Sequence, residues 1–459
     1  MNNDQALPGM AELVAGIEVA AGRGIAEGGA PAGSPRLRRP DRQQVVLDPV
    51  CLEERLAADH PARAIWAIVE RLDLSKFHAV IAARGEEPGR PTTDPALLIA
   101  LWLFATTQNE GSARRLAALC ESHDAYRWLC GGVSLNHHTL SDFRTAHGAA
   151  LDDLFTQVIA ALVHKNVVKI DRMSQDSLRT RASAGSSSFR REKALRRLLE
   201  QARAHVEAVK KQADEAPADA ARKTAARQRA AAERVERIDA ALALLPELQR
   251  AKEASDSGKP SKQRPVRVST TDVEARRMRL GNGAVAPAYN VQLGVDTASR
   301  AIVGVDVVND GNDQQQSEPI RQQVEQRSGR KVKEHLFDGG FVKKELIERA
   351  EQDGVAIYAP LPTDKNGQPC THGRRDGPGV AAWRARMTTP EAQKLYHLRA
   401  ATAETANAET KTYRGLGRFL VRGLGKVRCI ALWSALAYNV VHFAKDLLAN
   451  EPMARGLIT

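Results

Sequence analysis

Asp338 closes the segment His335-Leu-Phe-Asp-Gly-Gly-Phe341, where a short apolar run meets two glycines. The run predicts a strand, and the glycines permit a tight turn with positive φ. The carboxylate is then presented at the carboxyl edge of a sheet, where α/β folds bind their ligands. On its own, an Asp-Gly pair after a strand more often marks only a turn. Asp176 sits inside Arg172-Met-Ser-Gln-Asp-Ser-Leu178, among residues that suit a buried or edge strand. A carboxylate there needs a hydrogen-bonding partner or a metal ion. A third acid, Glu404, shares a helical face with Asn407 and Lys411, downstream of Tyr396 and Arg399. That face alone could be a salt-bridged surface. It leads, however, through Gly415-Leu-Gly-Arg-Phe-Leu-Val-Arg-Gly-Leu-Gly-Lys426 into an apolar helix ending at Ala437-Tyr-Asn-Val440, as expected of a helix packed on a sheet.

These residues need a scaffold. Val167 to Leu178 is rich in β-branched and apolar residues and predicts a strand; Tyr289-Asn-Val-Gln-Leu-Gly-Val-Asp296 alternates and predicts another. Thr297-Ala-Ser-Arg300 turns the chain into Ala301-Ile-Val-Gly-Val-Asp-Val-Val308, giving a hairpin. A helical stretch with Ile320 and Val324 follows, then a strand at Glu334 to Phe337, a helix at Val342 to Gln352 and a strand at Val355 to Tyr358. Strands first, then alternating strand and helix, predict an α/β fold: a mixed sheet flanked by helices, over 166–188 and 267–448.

Ahead of it, residues 45–165 read as an all-helical N-terminal domain. Asp94 before Pro95 is an N-cap, Leu97, Leu98, Leu101, Trp102 and Ala105 follow at helical spacing, Gly131-Gly132 marks a turn, and Thr139-Leu-Ser-Asp142 resembles a capping box. Residues 189–266 interrupt the sheet region with Ala, Arg, Lys, Glu and Leu. They read as an inserted helical hairpin broken at Ala216-Pro217, with seams at Leu195, Leu198, Ala202 and Val209 and at Ile238, Leu242 and Leu245. A solvated pair packing on itself explains this better than a partner-binding coil. Ser255 to Arg264 reads as a polar linker, residues 1–44 as a disordered leader rather than a signal peptide, and 449–459 as a tail.

The formal charge of +12 over 459 residues favours a polyanionic partner, whereas an aromatic content of 4% disfavours a single-strand binder that stacks bases on rings. Duplex phosphate contacts fit better. Five scattered cysteines form no disulfide framework and fit a reducing cytoplasm. The apolar stretch around Cys429 to Val441 is too short to span a bilayer, so no membrane association is expected.

Taken together, the Asp on a first strand, the Asp-Gly-Gly-Phe after a later one, and Tyr396-His-Leu-Arg-Ala-Ala-Thr-Ala-Glu404 followed by Asn407, Lys411 and Gly415-Leu416 resemble the signature of insertion-sequence DDE transposases. Asp59-His-Pro-Ala-Arg63, Gly89-Arg-Pro91, Asp94 to Trp102, His123-Asp-Ala-Tyr-Arg-Trp-Leu-Cys-Gly-Gly132 and Arg181-Ala-Ser-Ala-Gly-Ser-Ser-Ser-Phe-Arg190 resemble the eleven-eighty-two family in particular. The likeness runs over roughly residues 45 to 445. It implies an RNase H-like core in which Asp176, Asp338 and Glu404 are catalytic and hold two Mg²⁺ or Mn²⁺ ions. It also implies nicking and strand transfer on double-stranded DNA, at the element's terminal inverted repeats and its target, by a homodimer or larger assembly in the cytoplasm, associated with the nucleoid. Hard cations of this kind want oxygen ligands, and in-line phosphodiester attack needs paired charges on the attacking and leaving oxygens. Two features depart from the broader pattern. Glu404 falls one residue late after Tyr396 and Arg399, leaving Glu409 as a fallback, and Gln175-Asp-Ser177 replaces the commoner Asp-Gly-Thr, leaving Asp171 as a competitor.

Arg181, Arg399, Asn407, Lys411, Arg418 and Arg422 are the expected DNA contacts, the last arginines being aligned by helical spacing beyond Glu404 unless Gly415 and Gly417 break the helix. Further arginines cluster at Arg179 and at Arg276, Arg277 and Arg279. A solvated basic face is the competing explanation. Cys120, His123, Cys130 and His137 invite a zinc reading, but their spacing matches no compact finger. Two functional alternatives stay open: a transposase-derived DNA-binding protein that no longer cleaves, and a magnesium-dependent nuclease without strand transfer.

Overall fold

A computed structural model describes residues 49, 51–82, 92–214, 221–256 and 265–449; the expected leader, Gly89-Arg-Pro91, the Ala216-Pro217 break, most of the polar linker and all but the first residue of the tail lie outside them. Among the described residues eight helices come first: α1 (Leu52–Arg55), α2 (Pro61–Val69), α3 (Ser75–Ala79), α4 (Pro95–Thr107), α5 (Ala113–Ser122), α6 (Asp124–Cys130), α7 (His137–Ala146) and α8 (Gly148–His164). Asp94 caps α4 as expected, its carboxylate accepting from Ala96 N at 2.8 Å. Every residue of α4 from Leu97 to Thr106 is buried, so the helix is enclosed on all sides. Gly131 (φ +55°) and Gly132 (φ +87°) form the expected turn after α6. The capping box at Thr139 is a misreading, because Asn136 is the N-cap and accepts from Thr139 N at 2.9 Å, one turn earlier. Asn competes for that role as well as Thr does, and it comes first in the chain.

Strand β1 (Arg172–Arg181) begins later than its composition predicts. Ile170 takes φ +63° and donates its N–H to Asp296 Oδ1, which turns 167–171 into a bend even though Val168 and Ile170 are buried. The insertion then leaves from β2 (Phe189–Arg190), runs through α9 (Glu192–Asp214) and α10 (Ala221–Asp256), and returns at β3 (Val268–Ser269), which pairs antiparallel with β2. Its two arms pack on each other through Leu195, Ala202, Ile238, Ala241 and Leu245, a cluster apart from the main core. Of the seam residues expected from the spacing, Leu195, Ala202, Val209, Ile238 and Leu245 are buried, and Leu198 and Leu242 are half-buried against the same cluster.

Strands β4 (Arg276–Arg279), β5 (Val285–Asp296) and β6 (Ile302–Val308) follow, then α11 (Ser317–Ser328), β7 (Glu334–Leu336), α12 (Lys344–Gln352) and β8 (Ala356–Tyr358). β5 is central: it runs antiparallel to β1 on one side and to β6 and β4 on the other, while β1, β7 and β8 are mutually parallel. From one side to the other the order is β6, β5, β1, β7, β8. Helix α11 crosses β5 and β6 where both carry glycine. A Cβ on Gly304 would meet Val324 at 2.8 Å and one on Gly294 would meet Ile320 at 2.9 Å, so the glycines set the closeness of helix to sheet.

The chain ends in α13 (Pro378–Met387), α14 (Pro390–Tyr396), a π-helical turn at Ala400–Glu404, α15 (Thr405–Tyr413) and α16 (Leu424–Leu448). Helix α16 is longer than the apolar stretch suggested and, by length and composition, could cross a bilayer. Yet 72% of its most apolar window is buried inside the protein. It packs on β6 and on α2, α4, α7 and α8. One continuous hydrophobic cluster thus joins the early helices to the sheet, with α16 as the shared element.

Candidate active site

Parallel pairing of Ser174 with Leu336 fixes the relation between the two aspartates. Two residues further along come Asp176, within β1, and Asp338, just past the end of β7, close enough for the charge of one to act on the other. Asp338 follows β7 by two residues and caps the Gly339–Phe341 turn, its Oδ1 accepting from Gly340 N at 2.8 Å. A Cβ on Gly340 would lie 3.0 Å from that oxygen, which explains the glycine. Asp176 is largely enclosed, with a side chain 15% exposed. Its Oδ1 accepts from Ser177 N at 2.9 Å. Burial pushes its carboxyl up to about 6, and the charge of Asp338 adds to the rise. The Ser177 N–H, the Arg399 guanidinium and the Asn407 side chain pull the other way.

Glu404 arrives from the far side. In an α-helix, residues five apart point about 140° from each other. The π turn at Ala400–Glu404 absorbs one extra residue, and Arg399 Nη2 meets Glu404 Oε1 at 2.6 Å while its Nη1 lies 3.5 Å from Asp176 Oδ2. The residue by which Glu404 is late is therefore taken up in the backbone. Arg399 also stands over the Tyr396 ring at 5.9 Å. The guanidinium occupies the gap between two carboxylates and is the cation of the site as it stands. Asn407, 7% exposed, bonds Asp176 and leaves its Oδ1 buried without a hydrogen-bond partner.

The two competing acids lie elsewhere. Asp171 is exposed before β1 and pairs with Lys333 at 2.8 Å. Glu409 faces Arg414 and His442, at 2.9 and 2.8 Å.

The site fits a cation in its donors but not yet in its geometry. The donors are all oxygens, and the unpartnered Asn407 Oδ1 beside a half-compensated Asp176 suits a hard ion. Among the described residues, however, no group of three or more His, Cys, Asp or Glu side chains is close enough to form a ready metal cluster. Glu404 is turned toward Arg399, its side chain 48% exposed.

Of the expected DNA contacts, Arg399 and Asn407 are occupied with the carboxylates. Arg181, Lys411, Arg418 and Arg422 are exposed or half-buried at the surface. Helical alignment of the last two fails, since Gly415 (φ +82°) ends α15. The segment after it instead runs beside the end of β1, where Phe419 N donates to Arg181 O at 2.9 Å and Arg418 bridges Arg181. That brings Arg181 and Arg418 together by a route helical periodicity does not foresee.

Asp313 is a functional candidate that the sequence did not flag. It is 5% exposed, pairs with Arg179 at 3.0 Å and accepts from Asn290 at 2.6 Å and Gln292 at 3.0 Å. Its Oδ2 lies 3.8 Å from where a Cβ on Gly340 would sit, so it faces the same turn as Asp338. Nothing in the run Asn309-Asp-Gly-Asn-Asp313 separates it from ordinary loop residues. The residues of the zinc reading have other tasks: the free thiols of Cys120 and Cys130 share a hydrogen bond, His123 caps α6, and His137 lies against His138 at 4.1 Å.

Two family models match the chain. A transposase domain (DUF772) covers residues 50–146, the early helices, and a transposase DDE domain covers residues 379–444, from α13 into α16. Both matches indicate a transposase, the second through its DDE domain. More narrowly, the two matches together support an insertion-sequence DDE transposase, the second spanning Arg399, Glu404 and Asn407 but neither Asp176 nor Asp338. No curated protein and no solved structure matches.

Proposed function

We propose that the chain binds the terminal inverted repeats of its insertion element and cuts and rejoins DNA strands there, using two magnesium or manganese ions, as a member of the eleven-eighty-two family. The observation that carries this is the parallel pairing of β1 with β7, which leads to Asp176 and Asp338 close enough for their charges to interact, with Glu404 linked to Asp176 through Arg399. The strand order β6, β5, β1, β7, β8, with antiparallel pairing up to β1 and parallel pairing beyond it, supports an RNase H-like core. Residues 45–165 are the DNA-binding part, acting with Arg181, Lys411, Arg418 and Arg422 at the surface against phosphates. Work on two element ends calls for a homodimer or larger assembly on DNA in the cytoplasm.

Asp176, Asp338 and Glu404 would hold the ions, in the place where Arg399 now lies between Asp176 and Glu404. Bound there, divalent cations supply charge to the attacking and leaving oxygens of the phosphodiester. Asn407 orients Asp176 by its hydrogen bond, and Gly340 N–H orients Asp338. Arg399 carries a planar set of donors suited to a phosphate.

Asp338→Asn removes one anionic ligand while keeping its cap on Gly340 N. Magnesium-dependent nicking of duplexes carrying the element ends should vanish with DNA affinity retained; nicking that survives would sink the catalytic reading. Joined products separate strand transfer from simple nuclease action.

A further inference from the structure

Between α2, α4, α5 and α6, far in sequence from the carboxylates, lies a cavity of about 260 Å³. Its walls are rings: Phe104 stands 5.7 Å from His60 and 4.9 Å from Tyr126, and Tyr126 stands 5.3 Å from His123. Both histidines are locked in one orientation. His60 Nδ1 accepts from Ala62 N at 3.1 Å and His123 Nδ1 accepts from Ala125 N at 3.2 Å, so each caps a helix. A neutral imidazole that accepts at Nδ1 carries its proton at Nε2, and both rings therefore offer a fixed N–H donor away from their helices. Burial and the neighbouring His123 hold His60 below the usual imidazole range, which keeps it neutral. The charged residues at the rim, Glu110 and Arg115, neutralise each other at 2.9 Å.

These features select among ligands. A bare phosphate would meet Glu110, and a lone cation would meet two N–H donors and Arg115. A flat, neutral heterocycle with donors and acceptors on its edge suits aromatic walls, imidazole donors and a carboxylate acceptor alike, and the volume is ample for one ring system. We infer that this cavity receives a single unstacked nucleobase of the DNA on which the chain acts. The inference rests on the DNA-acting reading above and adds to it a site within the early helices. Such a base could come from inside a duplex, by extrusion, or from a frayed end.

The test uses the full-length chain and three probes: a fully paired duplex, the same duplex with one bulged thymine, and the same duplex with a one-nucleotide overhang. Base stacking in a pocket predicts about tenfold tighter binding to one or both unpaired probes. Preference for the bulge identifies extrusion, and preference for the overhang identifies a frayed end. Leu119→Trp fills the cavity from α5. His123→Asn keeps a helix cap but removes the Nε2 donor. Each should abolish the preference while leaving affinity for the paired duplex unchanged. Equal affinity of the unaltered chain for all three probes overturns the inference, as does a preference that both variants keep. Failure to bind any probe overturns the DNA-acting reading instead.

Discussion

Arg399 and Glu404 are joined at 2.6 Å although they stand five positions apart in the chain. A straight α-helix would point them to different faces, and the π turn between them is what permits the contact. The same turn lets Arg399 reach Asp176, so a one-residue irregularity connects the C-terminal helices to the sheet. An inserted residue absorbed as a bulge leaves both flanking helical segments where an uninterrupted helix would have put them.

Removal of the bulge should therefore be tolerated. Deleting Ala401, an exposed residue of the π turn, converts it to α-helix and leaves the acid four residues after Arg399, still within reach of it. The variant is expected to melt at or above the temperature of the parent. Deleting Ala408 in regular α15 rotates the downstream part of the helix by about 100° and should prevent folding. Equal damage from both deletions, measured by circular dichroism melts, would contradict the bulge account.

Arg399 acts as the resident cation between Asp176 and Glu404, and its truncation separates structure from metal binding. Arg399→Ala leaves a buried carboxylate without its main counter-charge and should destabilise the metal-free protein by about 1–3 kcal/mol. Added magnesium replaces the lost charge, so the variant should gain more in melting temperature from magnesium than the parent does. A smaller gain in calorimetric scans would show that Arg399 supports the site rather than competing for it.

The parts of this architecture legible in the sequence are those in which one segment carries its own signal. Alternation marks β5, the turn at Thr297 to Arg300 marks β6, glycines mark the Asp338 turn although neither Gly339 nor Gly340 takes the positive φ expected of them, and the seams of α9 and α10 show through their spacing. The hidden parts depend on contacts between distant segments. Strands β2 and β3 are two residues each and exist only through pairing. Asp313 gains its environment from Arg179, Asn290 and Gln292, which are scattered over the chain. The π turn has no compositional mark in Ala400-Ala-Thr-Ala-Glu404; the lateness of Glu404 against Tyr396 and Arg399 is its only trace. Arg399 and Asn407 read as phosphate contacts because charge and polarity are visible in a sequence and burial is not.

His335 should make the fold acid-sensitive. It lies in β7, 1% exposed, with Nε2 3.1 Å from Gln175 Oε1, and burial, aided by the charge of Arg321, lowers its pKa to about 3. Between that value and the unfolded value of about 6.5, the unfolded chain binds a proton that the native chain does not. Stability from this residue is present above the window and falls as pH drops through it, by up to about 1.4 kcal/mol per pH unit. His335→Gln should flatten the curve of unfolding free energy between those limits relative to the parent. Parallel curves for the two proteins would remove His335 as the cause.

The insertion should be separable from the fold. Arg190 and Val268 form the closing antiparallel pair at its base, and its apolar cluster is distinct from the core that joins the sheet to the early helices. Residues 191–267 can therefore be replaced by Asn-Gly, a two-residue hairpin turn matched to such a pair. Val273, which packs on the hairpin's cluster, and Val268 lose cover, a loss of about 1–3 kcal/mol. The shortened chain should remain soluble and unfold cooperatively, with a melting temperature lower by only a few degrees. A non-cooperative melt would mean that α9 and α10 hold β1 and β5 in register, and would make the insertion part of the framework that positions Asp176.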